Sequence, residues 1–300
     1  MDYLDIYETH RQHLFGVAYR MLGTVADAED VLQDAFLRWQ HADHEAVTAP
    51  RAYLTATVTR LAIDRLRQLK SRREDYIGPW LPEPLVQPPG SHPVELANAI
   101  SMAILSVLEQ LGPVERAVFL LREVFDYDYP DIAPVVERSA ANCRKIFQRA
   151  RDHVHTAQVR YTPTPEQHQN VTQQFMTSIR SGDLDGLIAV LKDDITLTPD
   201  GGGKVPSARV PLIGSQRVAR FLIGIARKAP PSLRLHPCGV NGQPGVWIEV
   251  NGAVDGVMTW DIDADQITAI RIIRNPDKLR HITTHARVRP TSKNARDGQA

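Results

Sequence analysis

Two short amphipathic segments joined by a tight break, between Asp128 and His153, constrain the fold of this chain more than any other stretch. Ser139 follows the break and is a favourable N-cap, because its hydroxyl can accept a hydrogen bond from a free backbone N–H. Apolar residues then recur at helical spacing and predict one buried face. The residues of this face are Cys143, Ile146, Phe147, Ala150 and Val154.

The opposite face of the second segment is polar and basic. From Arg138 to Arg151 the chain holds five basic residues and no acidic residue. In a helix-turn-helix the apolar face packs on the protein and the first turns of the second helix enter the major groove of DNA. An ordinary surface helix with a solvated basic face is the alternative. Glu137 and Pro134 fit the motif poorly, because the turn usually uses Gly to reach positive φ and a proline removes a backbone donor.

Length, cysteine content and charge further limit the possible domain number, cellular compartment and class of protein. Three hundred residues correspond to two or three domains. Cys143 and Cys238 lie far apart without metal-ligand spacing, so we expect a reducing, cytoplasmic setting with no disulfide, no metal and no cofactor. The amino terminus is too polar for a signal peptide, and no apolar run approaches the ~20 residues of a membrane span, so no membrane partner is expected.

The charge is unevenly distributed along the chain. Residues 1–160 hold 18 Lys and Arg against 22 Asp and Glu, and residues 161–300 hold the remaining 17 and 13. The half that contains the helix-turn-helix is therefore acidic overall. Because neutralisation of phosphates supplies most non-specific DNA affinity, such a half binds DNA poorly unless a partner delivers it.

Residues 10–39 predict two helices, the first ending near Gly23 and the second capped by Thr24. The second helix has an apolar stripe and, on another face, a group of acidic and polar residues. That group is either solvated or a docking face for a basic partner. Its members are Asp27, Asp30, Gln33 and Asp34.

Residues 50–73 predict a third helix that begins at Pro50. Between Arg60 and Arg73 it holds six basic residues and one acid, Asp64, which gives a local charge of +5. An acidic helix followed by a basic helix therefore precedes the helix-turn-helix.

These segments resemble extracytoplasmic-function (ECF) sigma factors, the smallest bacterial sigma subunits, over residues 10–155. LGTVADAEDVLQDAFLRW is similar to their segment that binds core RNA polymerase. PRAYLTATVTRLAIDRLR is similar to their helix that melts promoter DNA and reads the minus-ten element. The segment from Leu111 to Arg151 is similar to their fourth domain, which reads the minus-thirty-five element.

The resemblance implies two partners, core RNA polymerase and promoter DNA, and a role for each charged set. The acidic group of Asp27, Asp30, Gln33 and Asp34 is expected to bind core polymerase. DNA-binding residues are expected in both reading helices. They are Arg60, Asp64, Arg65 and Arg67 in the first and Ser139, Asn142, Arg144 and Lys145 in the second, with Ser139 as the cap.

The remainder of the chain completes the predicted domain organisation. Residues 74–94 are rich in proline and predict a tether. After a second linker the pattern changes to helices followed by four strand-like runs, with Asn-Gly turns at residues 241–242 and 251–252. The predicted divisions are 1–73 (sigma domain two), 74–94 (linker), 95–158 (sigma domain four), 159–165 (linker), 166–287 (regulatory domain) and 288–300 (a disordered tail).

The domain at 166–287 predicts an α+β cone and resembles the SnoaL-like fold related to ketosteroid isomerases. Three motifs are similar to those of a sigma-factor group with a fused SnoaL-like domain, which acts there as a built-in regulator. The implied interdomain contacts involve Trp80, Leu81, Pro82, Glu83 and Pro84 in the first motif, Asp200, Gly201, Gly202, Gly203 and Lys204 in the second, and Asn275, Pro276, Asp277, Lys278 and Leu279 in the third.

The predicted fold class is thus multidomain: two all-α sigma domains, the second a helix-turn-helix, followed by an α+β SnoaL-like cone. The leading hypothesis is a non-enzymatic sigma factor regulated by the cone, with a small-molecule ligand of the cone left open. Two alternatives are a one-component helix-turn-helix regulator with a ligand-sensing cone and a cone-fold isomerase or cyclase. Candidate catalytic residues for the latter are Asp194, Asp200, Asp255, Asp261 and His236.

Overall fold

The computed structural model describes residues 2–87, 101–157 and 165–282. Its first domain consists of three helices. Gly23 ends the first helix in the left-handed region, with φ 75°, and its N–H donates to the carbonyl of Tyr19. The hydroxyl of Thr24 then caps the second helix by accepting from the N–H of Asp27, as predicted. The helices are α1 (Tyr3–Leu22), α2 (Val25–Gln40) and α3 (Pro50–Glu74).

The second domain contains the helix-turn-helix. Glu137 adopts φ 55°, so the turn reaches the left-handed region without a glycine. Pro134 lies inside the first helix of the motif, which nevertheless continues to Val136. Ser139 caps the recognition helix by accepting from the N–H of Asn142 at 3.2 Å. The described helices are α4 (Met102–Leu108), α5 (Pro113–Phe119, continued by a π turn over Leu120–Val124), α6 (Tyr129–Val136) and α7 (Ala140–Ala157).

The third domain has helices packed on a curved sheet, as expected of a SnoaL-like cone. A short strand from the preceding linker, β1 (Val86–Gln87), joins the edge of this sheet. Strand order across the sheet is β1-β4-β5-β6-β7-β2-β3, with β2 and β7 parallel and the other neighbours antiparallel. Asn241 and Asn251 adopt positive φ in the two predicted turns. The elements are α8 (Pro165–Ser181), α9 (Leu184–Val190), β2 (Leu191–Asp200), β3 (Leu212–Ile213), α10 (Ser215–Arg227), β4 (Arg234–Val240), β5 (Gln243–Val250), β6 (Ala253–Asp263) and β7 (Gln266–Ile273).

The first predicted linker is not a free tether where it is described. Helix α3 runs to Glu74, and strand β1 (Val86–Gln87) pairs with β4 at the edge of the cone sheet. Leu81 and Glu83 between them are buried. A proline-rich composition excludes a helix, but the extended chain that it favours can still pack. Residues 88–100, 158–164 and 283–300, which include the rest of this linker, most of the second linker and the tail, lie outside the described residues.

One hydrophobic core spans the two helical domains and one face of the cone. Buried residues of α1 to α7 form it together with apolar residues of the cone and the linker residue Leu81. A second core lies wholly within the cone, around Phe175 and Trp260. The three domains therefore pack as one body. Across the described ranges, no helix combines the length and the apolarity needed to cross a bilayer.

Candidate promoter interface and interdomain network

The recognition helix α7 presents its polar face to solvent. Asn142, Arg144 and Lys145 are exposed beyond the Ser139 cap, while the predicted apolar face is buried. The guanidinium of Arg144 lies 5.2 Å from the ring centroid of Tyr129, which orients it without burying it. The side chains predicted to contact the upstream promoter element therefore remain accessible in this arrangement.

Unlike α7, the basic helix α3 has polar residues that bond to other helices of the chain. Arg60 donates to the backbone carbonyls of Pro134 at 2.8 Å and Val135 at 3.3 Å, both in α6 of the helix-turn-helix. Asp64 and Arg67 are exposed and form an ion pair with each other at 2.9 Å. Two of the predicted DNA-binding residues of this helix are thus engaged within the chain, since Arg65 also has an internal partner.

That partner of Arg65 is on the acidic helix α2. Asp27 accepts two hydrogen bonds from the Arg65 guanidinium at 2.7 and 2.8 Å, and it is half-buried. Asp30, Gln33 and Asp34 are exposed. Asp30 also accepts from the Arg65 guanidinium, at the longer distance of 3.4 Å, while its side chain stays 66% exposed. The structure therefore leaves Asp30, Gln33 and Asp34 accessible as a polar surface, whereas Asp27 is held by its shorter bonds to α3.

The three regulatory motifs predicted from separate parts of the sequence meet at Asp200. Its carboxylate is fully buried and accepts from the Tyr76 hydroxyl at 2.5 Å and from the Leu81 N–H at 2.8 Å. Its backbone carbonyl accepts from the N–H groups of Arg274 and Asn275 at 2.7 and 3.1 Å. We call Tyr76, Trp80–Pro84, Asp200, Asn275 and Lys278 the interdomain network.

Lys278 neutralises the buried Asp200 carboxylate. The two charged atoms are 2.7 Å apart, and the side chains are 6% and 0% exposed. The Lys278 ammonium also donates to the Leu81 carbonyl and lies 4.1 Å from the Trp80 ring centroid, a cation–π contact. Burial, followed by the hydrogen bond to Asp200, raises the pKa of Tyr76, so its phenol stays a protonated donor. Removing one partner of such a buried pair is costly, because it leaves an uncompensated charge.

Glycines in the second motif allow the close approach. A Cβ on Gly202 would lie 2.3 Å from the Asn275 amide nitrogen, and one on Gly203 would lie 2.9 Å from Ile77. Both glycines also have positive φ, at 58° and 70°. Asn275 in turn forms an Asx turn, because its side-chain oxygen accepts from the Asp277 N–H at 3.1 Å.

The linker also reaches the turn between α1 and α2. The carboxylate of Glu83 accepts from the Val25 N–H at 2.7 Å, and the Glu83 N–H donates to the Gly23 carbonyl at 2.8 Å. A Cβ on Gly23 would lie 2.8 Å from the Trp80 ring. Arg116 of the second domain donates to the Met21 carbonyl at 2.6 Å in the same turn. One turn next to the acidic helix therefore holds contacts from the linker and from the helix-turn-helix domain.

Several residues of this interface were not predicted from the sequence. Neither Tyr76 nor Arg116 belongs to a motif or to a predicted apolar face. Burial lowers the pKa of Arg116 to about 9, still above neutral, and Glu109 pairs with it at 2.8 Å. Asn241, predicted only as a turn residue, donates to the Tyr19 hydroxyl at 2.7 Å. Helical and strand periodicity concerns residues a few positions apart along the chain, whereas these contacts join positions up to 222 residues apart. The sequence pattern therefore did not reveal them.

The candidate catalytic residues do not converge. Asp200 belongs to the interdomain network, Asp261 pairs with Arg271 at 2.8 Å, and His236 stacks on Trp247. Asp194 is exposed. Of the five, Asp255 alone lines the cone cavity. Among the described residues, these five candidates are therefore not brought together as a paired acid and base.

Comparison with known proteins places the chain in a family. Residues 6–72 match the model for Sigma-70 region 2, and residues 101–154 match that for Sigma-70 region 4. The ECF RNA polymerase sigma factor SigJ of Mycobacterium tuberculosis is 39% identical over 292 residues, 91% of this chain and 92% of that protein. A probable ECF RNA polymerase sigma factor of the same species, SigI, is 32% identical over 91% of this chain and 93% of its own length.

A solved structure has the same domain arrangement. The crystal structure of the M. tuberculosis ECF sigma factor SigJ superposes with a TM-score of 0.75 and 35% identity, covering 92% of this chain and 98% of that chain. The predicted fold class is thereby confirmed for the full set of domains. Two region matches in the expected order and two relatives similar over nearly their whole length lead to one conclusion: the chain belongs to the family of ECF RNA polymerase sigma factors.

Proposed function

We propose that this chain is an alternative sigma subunit whose cone domain holds it in a closed, inactive arrangement until core polymerase or a signal competes. In this proposal Asp30, Gln33 and Asp34 bind the core enzyme, with Asp27 supporting their helix. Helix α3 reads and melts the minus-ten element, and helix α7 reads the minus-thirty-five element. The full-length relatives are sigma factors, which does not favour a one-component regulator or an isomerase.

The observation that carries the proposed inhibition is the contact of Arg60 with the carbonyls of Pro134 and Val135. It joins the helix assigned to the downstream element directly to the motif assigned to the upstream element. Elements named for positions −10 and −35 are about 25 base pairs, roughly 85 Å, apart on B-form DNA. Helices in direct contact cannot occupy both at once, so promoter recognition requires the domains to separate.

The interdomain network supplies a means of holding the domains together. It joins the segment that follows α3 to the ends of strands β2 and β7, and Glu83 extends it to the turn before α2. Because Asp200 and Lys278 are both buried, the closed state depends strongly on their pairing. We assign the sign of regulation accordingly: the cone inhibits, and loss of the network activates.

Binding to purified core RNA polymerase tests the assignment of the polymerase-binding surface. Reversing Asp30 and Asp34 to Lys should weaken core binding at least 10-fold, because two attractive contacts with a basic surface become repulsive. Glu8→Lys with Glu45→Lys makes the same charge change at two exposed positions outside α2 and serves as the control. Equal core affinity of the two double variants, measured by fluorescence anisotropy, would contradict the assignment.

The cellular compartment, the lack of catalysis and a small-molecule ligand are part of the same proposal. As a polymerase subunit the chain acts in the cytoplasm and performs no turnover of its own. The signal that releases it is proposed to include a small molecule bound in the cone, where a cavity of about 860 Å³ is available.

A further inference from the structure

We infer that the cone cavity binds an anionic amphiphile, a molecule with an apolar body and one acidic head group, and that the head group engages Arg274 and thereby loosens the interdomain network. The inference deepens the proposed function and rests on it for its regulatory consequence. Its binding step stands on the geometry of the cavity alone.

The size and walls of the cavity suit an apolar body. Its volume of about 860 Å³ lies within the ~300–1,000 Å³ range of small-molecule sites. The walls come from helices α8 and α10 on one side and from the concave face of the sheet on the other. Apolar side chains dominate them, among them Met176, Ile179, Phe221, Ile248, Met258 and Ile272.

The charges around the cavity favour an anion. Among the described residues that line it, four are cationic and one, Asp255, is acidic. A low-dielectric pocket edged by one sign of charge concentrates ligands of the opposite sign. An uncharged or cationic ligand would not neutralise this excess of positive charge. The cationic residues are Arg180, Arg227, Lys228 and Arg274.

Arg274 has a geometry that suits binding of the ligand's acidic head group. Its Nε and Nη2 atoms donate to the two Asp255 carboxylate oxygens, each at 3.0 Å, and Nη1 donates to the Pro206 carbonyl at 3.1 Å. This is the planar, two-point geometry with which Arg recognises carboxylates. Arg274 and Asp255 are each 33% exposed, so a ligand acid can reach the guanidinium and displace Asp255 without unfolding the sheet.

The same residue connects the cavity to the interdomain network. The backbone N–H of Arg274 donates to the Asp200 carbonyl at 2.7 Å, and Asn275 follows it directly. Pro199 and Pro206, which flank the second motif, also line the cavity. Drawing Arg274 towards a ligand therefore weakens its bond to Pro206 and disturbs the segment that carries Gly202 and Gly203.

A pair of fluorescent probes tests the binding step on the full chain. The probes are 8-anilinonaphthalene-1-sulfonate, which is anionic, and N-phenyl-1-naphthylamine, its uncharged counterpart. Arg274→Gln should weaken binding of the anionic probe at least 10-fold and change that of the neutral probe less than twofold. Arg217→Gln, an exposed change on α10 outside the cavity lining, is the matched control and should alter neither.

Two further variants keep the outcome decisive if Arg274→Gln folds poorly. Asp255→Asn frees the Arg274 guanidinium and should tighten binding of the anionic probe several-fold while leaving binding of the neutral probe unchanged. A misfolded chain would expose apolar surface and bind both probes more strongly, so the selectivity distinguishes the two cases. Ile248→Trp fills the cavity and should weaken both probes. The binding step is overturned if Asp255→Asn fails to tighten the anionic probe, or if Ile248→Trp leaves both affinities unchanged.

Hydrogen exchange measures the coupling. The Leu81 N–H, which donates to Asp200, should exchange at least threefold faster when the anionic probe saturates the chain, and not in Arg274→Gln. Unchanged or slower exchange would overturn the coupling. Both measurements omit polymerase, so a chain that passes them yet never joins the core enzyme would refute only the proposed function. A chain that joins polymerase but fails them would refute only this inference.

Discussion

The two helices proposed to read promoter DNA differ in how far their polar residues are engaged within the chain. Helix α7 exposes Asn142, Arg144 and Lys145 to solvent, whereas α3 has Arg60 bound to α6 and Arg65 bound to Asp27. The difference teaches that the proposed closed arrangement would leave α7, the proposed upstream reader, accessible. It acts on the downstream reader and on the distance between the two, so release should affect α3 far more than α7.

The largest effect is expected from Lys278→Met, which should abolish this difference. The change leaves the Asp200 carboxylate buried without its counter-charge, a cost of about 3–5 kcal/mol borne by the closed state. Affinity for core polymerase should rise by ~100-fold or more, because about 3 kcal/mol already corresponds to two decades and opening then requires less energy. The measurement is fluorescence anisotropy with labelled core enzyme, after circular dichroism has shown an intact fold.

A neighbouring ion pair provides the control for that variant. Lys204 pairs with Asp277 in the same two motifs, but the side chains are 51% and 39% exposed. Lys204→Met should therefore change core affinity by less than about fivefold, which corresponds to ~1 kcal/mol. If both variants behave alike, or if Lys278→Met lowers affinity while remaining folded, the cone does not inhibit in the way proposed.

A smaller effect tests whether α7 is independent of the closed state. Arg144→Ala and Lys145→Ala should each weaken binding to minus-thirty-five duplex, by about 1–3 kcal/mol where a base is contacted. Loss of a phosphate contact should instead lower the salt slope by about one. Because α7 is already exposed, the losses should be the same in wild type and in Lys278→Met, as filter binding can show. Arg149→Ala, farther along the helix, is the control.

Arg60 should behave in the opposite way. Arg60→Ala removes its bonds to the α6 carbonyls, about 1–2 kcal/mol of closed-state stability, and also a predicted DNA contact. In wild type, the weaker closed state should raise transcription while the lost DNA contact should lower it. In Lys278→Met, only the effect of the lost DNA contact remains. Arg67→Ala, which removes an ion pair with Asp64 of the same helix, should lower transcription by the same factor in both backgrounds. A double-mutant cycle on transcription that shows equal behaviour for Arg60 and Arg67 would break the comparison.

The smallest effect concerns pH at the contact between the helical domains. His13 packs edge-on against Phe125, and burial, with help from nearby Arg51, His10 and Arg20, lowers its pKa to about 4. The unfolded chain therefore binds more protons between pH 6.5 and 4, so stability is full above about 6.5 and falls as the pH drops towards 4. The slope is at most about 1.4 kcal/mol per pH unit.

Urea unfolding at several pH values measures this contribution. His13→Asn should flatten the fall between pH 6.5 and 4, while wild type should retain it. An equally steep fall in the variant would assign the acid sensitivity to other groups. Asp277, whose pKa is lowered mainly by its hydrogen bond to Lys204, destabilises in the same direction when protonated, but at more acidic pH.

Local signals in the sequence predicted the helices, their caps and the strands with good fidelity. Thr24, Ser139 and the two Asn-Gly turns behave as expected because each acts on backbone groups within a few residues. Glu137 shows the limit of such rules, since tertiary packing of α6 against α7 imposes a conformation that Gly would adopt more easily. The linker shows a second limit: composition excludes a helix but does not reveal that Leu81 and Glu83 become buried and that Val86–Gln87 adds an edge strand to the cone sheet.

By itself, the sequence determined the order of the domains and the polar and apolar faces of their helices. It also identified three motifs, but not how close together they lie in the folded protein. Those properties follow from periodicity and capping, which are encoded over short distances along the chain. Only the tertiary structure decided that Tyr76, Asp200 and Lys278 form one buried charged centre and that Arg60 is held by α6. Partners separated by 74 to 124 residues are selected by packing and desolvation, which depend on the whole fold.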